Sequence, residues 1–135
     1  MPIKSIVLKD SCVKTLAAVE AYPERSRQHE FNGVAELKKI FGSDRQAFEA
    51  SFSIRGEDVA CLAKVTWYDS REKHATRSEY RLYFQKNQVM KQAQEGDSIL
   101  IGFDKSGLLH CILVRNRTGS GAASIFRYES WTSVE

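Results

Sequence analysis

The sequence has few cysteines and no long apolar run. Its 135 residues include three cysteines, Cys12, Cys61 and Cys111, and no two of them form a CxxC pair. Structural zinc sites take closely spaced ligands, so this spacing disfavours a zinc cluster. An odd number of cysteines in apolar runs, behind an N-terminus without a leader, indicates small buried thiols in a reducing cytoplasm. No apolar stretch approaches the roughly 18 residues that a membrane span needs, so we expect no membrane association.

Catalytic and cofactor motifs are also scarce. The sequence has no P-loop, no GxGxxG and no GxSxG, and its three histidines lack metal-ligand spacing. His110 lies in an apolar run and is expected to pack rather than to catalyse. A loose match to the PD-(D/E)xK pattern of metal nucleases joins Glu24 to Glu36 and Lys38, but that pattern needs its ExK on a strand, and residues 34–42 have helical spacing. We therefore expect no catalytic residue, no metal and no cofactor in this chain.

The composition is that of one globular domain with a small positive charge. Apolar residues make up 42% of the chain and charged residues 27%, and the formal net charge is +3. A chain of this length buries the core of a single domain, which we predict to span 1–135, with 119–135 a linker or tail. The charge permits an anionic partner without requiring one.

Hydrophobic periodicity predicts about seven strands and two short helices. Short apolar or alternating runs indicate strands, and Gly or Pro residues mark their ends. The predicted strands are 12–22, 47–56, 59–68, 79–84, 97–104, 108–116 and 126–131, with a tight turn at Ser106–Gly107. The predicted helices are 34–42 and 87–94. Without βαβ alternation, this order favours a mostly β (α+β) fold, a seven-stranded, mainly antiparallel open barrel with helices at its ends.

A highly charged connection separates two of the predicted strands. Residues 69–78 lie between VTWY and EYRLYF, whereas hairpin loops are usually two to five residues long. If Leu82 points inward, the period of two along a strand sends Arg77, Glu79 and Arg81 to the opposite face.

Alternate residues on this strand match the spacing of base pairs. They lie about 6.6 Å apart, close to the roughly 6.8 Å that two steps of a DNA duplex span. Arginine donates two hydrogen bonds to guanine and glutamate accepts one from cytosine, so an Arg–Glu–Arg face suits G·C pairs in a major groove. A solvated sheet edge shows the same alternation, and there Arg81 and Glu79 would simply pair with each other. The flanking polar residues are expected to hold phosphates: Arg71, Lys73, Thr76 and Ser78.

A second polar segment, 23–33, carries the same kind of chemistry. Glutamine and asparagine are the side chains that read adenine, and the segment stands between two structured elements as a presented loop would. Its candidate DNA-binding residues are Arg25, Arg27, Gln28, His29 and Asn32. Trp67 and Tyr80 are expected to pack in the core and at the base of the charged connection rather than to stack on bases.

Four sequence segments together resemble a known family. HEFNG, LKKIFG, VTWYDSR…TRSEYRLYF and the GD before SILIGF are similar to the N-terminal effector-binding domain of EcoRII-type restriction endonucleases. The resemblance covers roughly residues 12–118 and is densest at 29–42 and 64–84. It implies a seven-stranded pseudobarrel like that of plant B3 domains, with two arms that hold one duplex through its major groove.

The resemblance also implies which residues form the arms. Segment 25–33 corresponds to the N-terminal arm and 69–81 to the C-terminal arm, and Arg77, Glu79 and Arg81 match the family's recognition run in place. Two positions depart from the family, because Tyr80 and Ala75 stand where it has basic residues. The implied target is a CCWGG-type site, with which arginine for guanine and glutamate for cytosine agree.

The expected function is that of a cytoplasmic module that binds double-stranded DNA. In the family this domain precedes a nuclease domain, so the chain is either a fragment covalently linked to a nuclease or a stand-alone module. Two alternatives stay open: a small metal-dependent nuclease in its own right, and a barrel that binds RNA or protein.

Overall fold

Seven strands form one curved sheet in the computed structural model, which describes residues 8–22, 29–71 and 78–115. The sheet closes into a half-barrel with the strand order β1-β6-β7-β3-β4-β5-β2. All neighbouring strands are antiparallel except β3 and β7, which are parallel. This confirms the predicted mostly β open pseudobarrel. The strands are β1 (Leu8–Thr15), β2 (Glu30–Asn32), β3 (Gln46–Ile54), β4 (Ala60–Asp69), β5 (Tyr80–Phe84), β6 (Ser98–Asp104) and β7 (Leu109–Val114).

The helices are short. They are α1 (Ala18–Ala21) and α2 (Ala35–Phe41), followed later in the chain by a 3₁₀ turn, Met90–Gln92. The predicted helix 34–42 is confirmed: Leu37 and Phe41 face the core, and Gly42 ends the helix at φ 80° with its N–H donating to the Lys38 carbonyl at 2.7 Å. In the described ranges no helix has the length and apolar character needed to cross a membrane.

Two predicted elements were wrong in kind or extent. The predicted strand 12–22 is two elements, because β1 ends at Thr15 and α1 follows; an apolar run alone does not separate strand from helix. The predicted helix 87–94 shrinks to the 3₁₀ turn. The Asn87 side chain caps its start by accepting hydrogen bonds from the Val89 and Met90 N–H groups, and the extended backbone at Ala93, with ψ 145°, ends it. The predicted strand 126–131 and linker 119–135 lie outside the described residues.

The main core lies on the concave, inner face of the sheet. Its largest fully buried side chains include Trp67, Phe31, Phe52 and Phe84. Trp67 packs against Phe41, with ring centroids 5.1 Å apart. A smaller buried cluster on the outer face joins β1, β6 and β7, and its members are Leu8, Leu100, Ile112 and Val114.

The cysteines follow the expectation in two of three cases. Cys12 and Cys111 are buried, and burial raises the pKa of both thiols. Cys61 is only half-buried, contrary to the expectation, because it lies next to the first residue of β4 at the rim of the core. A raised thiol pKa keeps sulfur in its unreactive protonated form.

The β6–β7 hairpin turns where the sequence predicted. Gly107 adopts φ 91°, which favours glycine, and the Asp104 carboxylate closes the turn. Its Oδ1 accepts from Ser106 N at 2.8 Å, Ser106 Oγ at 2.6 Å and Leu108 N at 3.0 Å, while Oδ2 lies 2.8 Å from His110 Nε2. His110 is buried and packed, as expected.

The Asp104→Asn variant is expected to be less stable than wild type by about 1–2 kcal/mol at pH 6, because it loses charge-assisted hydrogen bonds. Bonds from Ser106 and His110 hold the pKa of the Asp104 carboxyl well below its usual range. The carboxylate therefore contributes stability that is fully present above the unfolded-state pKa of about 4 and is lost as the pH falls further. Urea unfolding measured from pH 6 to pH 2 should show that the difference in free energy of unfolding between wild type and variant becomes smaller as the pH falls. Asp58→Asn, on an exposed turn, is the control, and a gap independent of pH would contradict the assignment.

Candidate nucleic-acid interface

The described ends of the two polar segments lie at opposite ends of the β2–β5 strand pair. The backbone carbonyl of His29, at the end of the first segment, accepts a hydrogen bond at 2.8 Å from the N–H of Phe84, the last residue of β5. The second segment leads into the first residue of β5, Tyr80, whose carbonyl accepts from Gly33 N at 2.8 Å. These two points are the first and last residues of the five-residue strand β5, so they lie about 13 Å apart at the usual strand rise.

Polar side chains between these two ends point away from the core. Leu82 and Phe84 of β5 are fully buried, which confirms the inward phase assumed for this strand, and Phe31 of β2, for which no position was predicted, is fully buried as well. The alternate residues therefore lie on the outer face. Across the sheet, Asn32 of β2 stands opposite Arg81 of β5, and Arg81 stands opposite Tyr68 of β4.

Arg81 is ion-paired with two carboxylates. Its Nη2 lies 2.6 Å and its Nε 3.2 Å from Glu79 Oε2, and its Nη1 lies 3.4 Å from Glu30 Oε1. The hydrogen bond with Arg81 lowers the pKa of Glu79 and raises that of Arg81. The pairing that the sequence left as an alternative for these two residues is therefore present in this form of the chain. We refer below to the Arg81 cluster, which comprises Glu30, Tyr68, Arg71, Glu79 and Arg81.

Glu30 and Tyr68 are members of the cluster that the sequence did not indicate. The Tyr68 hydroxyl donates to Glu30 Oε2. Burial, followed by this hydrogen bond and the Glu30 charge, raises the pKa of Tyr68 to about 12, so the phenol stays a neutral donor at physiological pH. The Arg45 guanidinium lies 5.5 Å from the centre of the Tyr68 ring. Alternate residues of a strand lie on one face, so predicting HEFN as a strand would have placed Glu30 and Asn32 together on the same face.

The base of the second polar segment is held by backbone and side-chain bonds. Asp69 Oδ1 accepts from Arg71 N at 2.9 Å and from Glu79 N at 2.8 Å, and Ser70 N donates to the Glu79 carbonyl at 2.8 Å. Arg71 Nε also lies 3.8 Å from Glu79 Oε1. These contacts fix the direction in which Glu79 and the strand after it leave the turn.

Aromatic packing supports that base from the core side. The rings of Trp67 and Tyr80 stack with centroids 5.2 Å apart and planes 16° apart. The Tyr80 hydroxyl donates to the Ser43 carbonyl at 3.0 Å, and the Lys38 ammonium lies 4.9 Å from the Tyr80 ring centre. The expectation that Trp67 and Tyr80 are packing residues is confirmed.

A buried carboxylate, Glu20, anchors the end of the first polar segment. Its Oε2 accepts from the backbone N–H of Asn32 at 2.8 Å and pairs with Lys14, and its Oε1 accepts from Ala17 N at 2.9 Å. Glu20 thus ties α1 to β1 and β2. This role could not be predicted from the sequence, because Glu20 lies in a run that the sequence predicts to be a strand.

The predicted DNA-binding residues fall into four groups. Ser78 and Asn32 are exposed, and Arg71, also exposed, belongs with Glu79 and Arg81 to the Arg81 cluster. His29 is half-buried, with its ring edge-on to Phe84 at 5.9 Å and its buried Nδ1 lacking a partner among the described residues. The imidazole packs against Phe84 here, and the base or phosphate contact that the sequence suggested stays a prediction. Outside the described residues lie Arg25, Arg27, Gln28, Lys73 and Arg77.

The nuclease pattern does not assemble in the described ranges. Glu36 and Lys38 lie on α2 with exposed side chains, so this ExK is helical, and Glu24 is outside the described residues. No group of three histidine, cysteine or acidic side chains is placed to hold a metal ion within 8–22, 29–71 and 78–115. No family model matches the chain, and no curated protein sequence matches it at a significant level.

Proposed function

We propose that this chain is a sequence-specific double-stranded DNA-binding module without catalysis of its own. The observation that carries the proposal is the outer face of the β2–β5 pair, where Asn32, Glu79 and Arg81 lie between the ends of two polar segments. β2 is the last strand in the described order, so this pair forms a ribbon at an edge of the sheet. The major groove of B-DNA, about 12 Å wide, admits a two-stranded β ribbon.

The ion pairs of Arg81 are compatible with base reading. A guanidinium carries five N–H donors, and the bonds to Glu79 and Glu30 engage its Nε, one N–H of Nη2 and one of Nη1. Two N–H donors are left over, which is the number that guanine O6 and N7 accept. Glu79 is positioned beside it to accept from the N4 group of a neighbouring cytosine. Together these two readers fit a G·C-containing site of the CCWGG type that the resemblance implies.

Most of the affinity in this proposal comes from phosphate contacts, as in other DNA-binding proteins. The chain would work in the cytoplasm, either joined to a nuclease domain or as a separate module. The candidates for phosphate contacts are Arg25, Arg27, Arg71, Lys73 and Ser78.

Selection of bound duplexes from a random pool tests the proposal directly. We expect enrichment of one short site and much weaker binding of scrambled duplex. Preference for hairpin RNA would favour the RNA-binding alternative, since the deep, narrow major groove of A-form RNA excludes side chains. Cleavage of plasmid in Mg²⁺ that disappears in Glu36→Ala would favour the nuclease alternative instead.

Arg81→Ala is expected to weaken binding of the selected site by about 1–3 kcal/mol and to flatten discrimination at one base pair, because a bidentate guanine contact is lost. Lys73→Ala is the comparison, since loss of a phosphate contact weakens all duplexes alike and reduces the salt slope. Fluorescence anisotropy on single-substitution duplexes at several salt concentrations measures both effects. Equal loss on every duplex in Arg81→Ala would make Arg81 a phosphate contact rather than a reader.

A further inference from the structure

We infer that Glu30 is a specificity-determining residue, which orients the Arg81 guanidinium toward a base edge and repels phosphates from it. The inference rests on the DNA-binding function proposed above and concerns the same surface. Glu30 was not among the residues expected to contact DNA, and it lies one strand away from the reader it would control.

The first support is that Glu30 is held in place on both of its oxygens. It stands opposite Tyr83 in the β2–β5 register, yet its carboxylate reaches diagonally to Arg81 and Tyr68; diagonal cross-strand neighbours are within reach of long side chains. The side chain of Glu30 is 14% exposed, against 42% for Glu79. Glu30 is therefore the less exposed carboxylate of the pair that flanks Arg81, and Glu79, which bonds to Arg81 and Ser70, is the more exposed one.

A fixed carboxylate beside the guanidinium of Arg81 orients that side chain before DNA binds. Arg81 is itself only 21% exposed, and its Nη1 is held by Glu30 while Glu79 holds the other side. A free arginine loses much rotamer freedom on binding, whereas a held one has lost it before the duplex arrives. Tyr68, a neutral donor, holds the carboxylate without competing for the duplex.

The same carboxylate acts against binding in the wrong register. A phosphate that approaches Arg81 must also approach Glu30 and Glu79, whose two negative charges offset those of Arg81 and the neighbouring Arg71. A base edge carries no net charge and avoids that repulsion. A repulsive group of this kind penalises the competing ligand and so contributes to specificity.

Glu30→Gln tests the inference, because the amide keeps the size and one acceptor of the side chain but removes its charge. We expect binding to the selected duplex to fall and binding to a scrambled duplex of equal length to rise. The ratio of the two affinities should then drop by about tenfold, the lower end of what one bidentate base contact contributes. Fluorescence anisotropy at low salt measures both affinities, and circular dichroism checks that the variant is folded.

Two further variants separate this role from simpler ones. Glu49→Gln makes the same charge change on the outer face of β3, opposite Lys64 and away from the Arg81 cluster. It should raise both affinities equally and leave their ratio unchanged. Tyr68→Phe removes the hydroxyl that holds Glu30 without any change in charge, so the ratio should fall mainly through weaker binding of the selected duplex. Tyr68→Phe also keeps the inference testable if Glu30→Gln does not fold.

The outcomes are distinguishable. If the wild-type chain binds no duplex, the proposed function and this inference are both overturned. If the wild type discriminates between duplexes but Glu30→Gln and Tyr68→Phe keep its ratio, only the inference is overturned. An equal rise in both affinities in Glu30→Gln would make Glu30 an ordinary surface charge, and would equally overturn it.

Discussion

Replacing Trp67 with alanine is expected to lower the free energy of unfolding by about 3–5 kcal/mol, the usual cost of truncating a buried tryptophan. The ring is fully buried between Phe41 and Tyr80, with centroids 5.1 Å and 5.2 Å away, and its Nε1 donates to the Gly42 carbonyl at 2.9 Å. The variant would lose the packing on both ring faces and leave the Gly42 carbonyl without this donor. Since small domains have only about 5–15 kcal/mol of stability, it should be close to unfolding.

Urea unfolding followed by circular dichroism measures this cost. Trp67→Phe should recover part of it, because a phenyl ring restores much of the stacking but not the hydrogen bond to Gly42. Tyr83→Ala is the control for loss of an aromatic ring, since Tyr83 is exposed on the outer face of β5 and surface substitutions usually change stability by less than about 0.5 kcal/mol. If Trp67→Ala were no less stable than Tyr83→Ala, Trp67 would not be the centre of this packing.

The same tryptophan connects the core to the candidate interface. It joins the end of α2, through Gly42, to the first residue of β5, through the stacked ring of Tyr80. A substitution that weakens the contacts of Trp67 with Gly42 and Tyr80 should let the base of the second polar segment move relative to the sheet. We therefore expect Trp67→Phe to reduce affinity for a selected duplex more than Val13→Ala does, at a temperature where both variants are folded, since Val13 is exposed on β1 at the other end of the strand order.

The elements that could be predicted from the sequence are those with a repeating local signal. β3 alternates with Ala50, Phe52 and Ile54 buried, and β4 and β5 follow the same rule. α2 has apolar residues at helical spacing and ends at a glycine, while the β6–β7 hairpin carries its glycine turn. In each case the pattern repeats over five or more residues, which is long enough to set the phase of the element.

The elements that could not be predicted depend on distant parts of the chain. β2 has three residues, too few for a period, and it forms because it pairs with β5 and because Glu20 accepts from its Asn32 N–H. The boundary between β1 and α1 lies inside a continuous apolar run, where neither period is distinct. Tertiary contacts therefore decide these segments, and local propensity does not.

The candidate site also has features that the sequence predicts and features that depend on distant parts of the chain. The outward positions of Glu79 and Arg81 follow from the phase of β5, which the buried Leu82 sets. The partner of Arg81 does not follow, because Glu30 is 51 residues away in sequence and comes close only through the β2–β5 pairing. The sequence therefore predicted the outward positions of the two proposed readers but missed the carboxylate and the tyrosine that hold one of them.

Glu20→Gln is expected to destabilise the chain by about 3–5 kcal/mol, the usual effect of removing one partner of a buried ion pair. The side chain of Lys14 is 9% exposed, so its charge would stay in the protein without the partner that compensates it. An amide also has a single oxygen to replace the two that accept from Ala17 N and Asn32 N. Hydrogen exchange should show early loss of protection at the Asn32 amide, and urea unfolding gives the total cost.

The double variant Lys14→Met, Glu20→Gln identifies the cause of that loss. If the uncompensated charge dominates, the double variant should regain much of the stability, since apolar replacements of buried ion pairs are often neutral. If the lost bond to Asn32 dominates, the double variant should stay as unstable as Glu20→Gln, with the Asn32 amide still exchanging early. Glu36→Gln, exposed on α2, is the control for the charge change. Should Glu20→Gln match that control in stability and exchange, β2 would not depend on Glu20, and the end of the first polar segment would be held by its pairing with β5 alone.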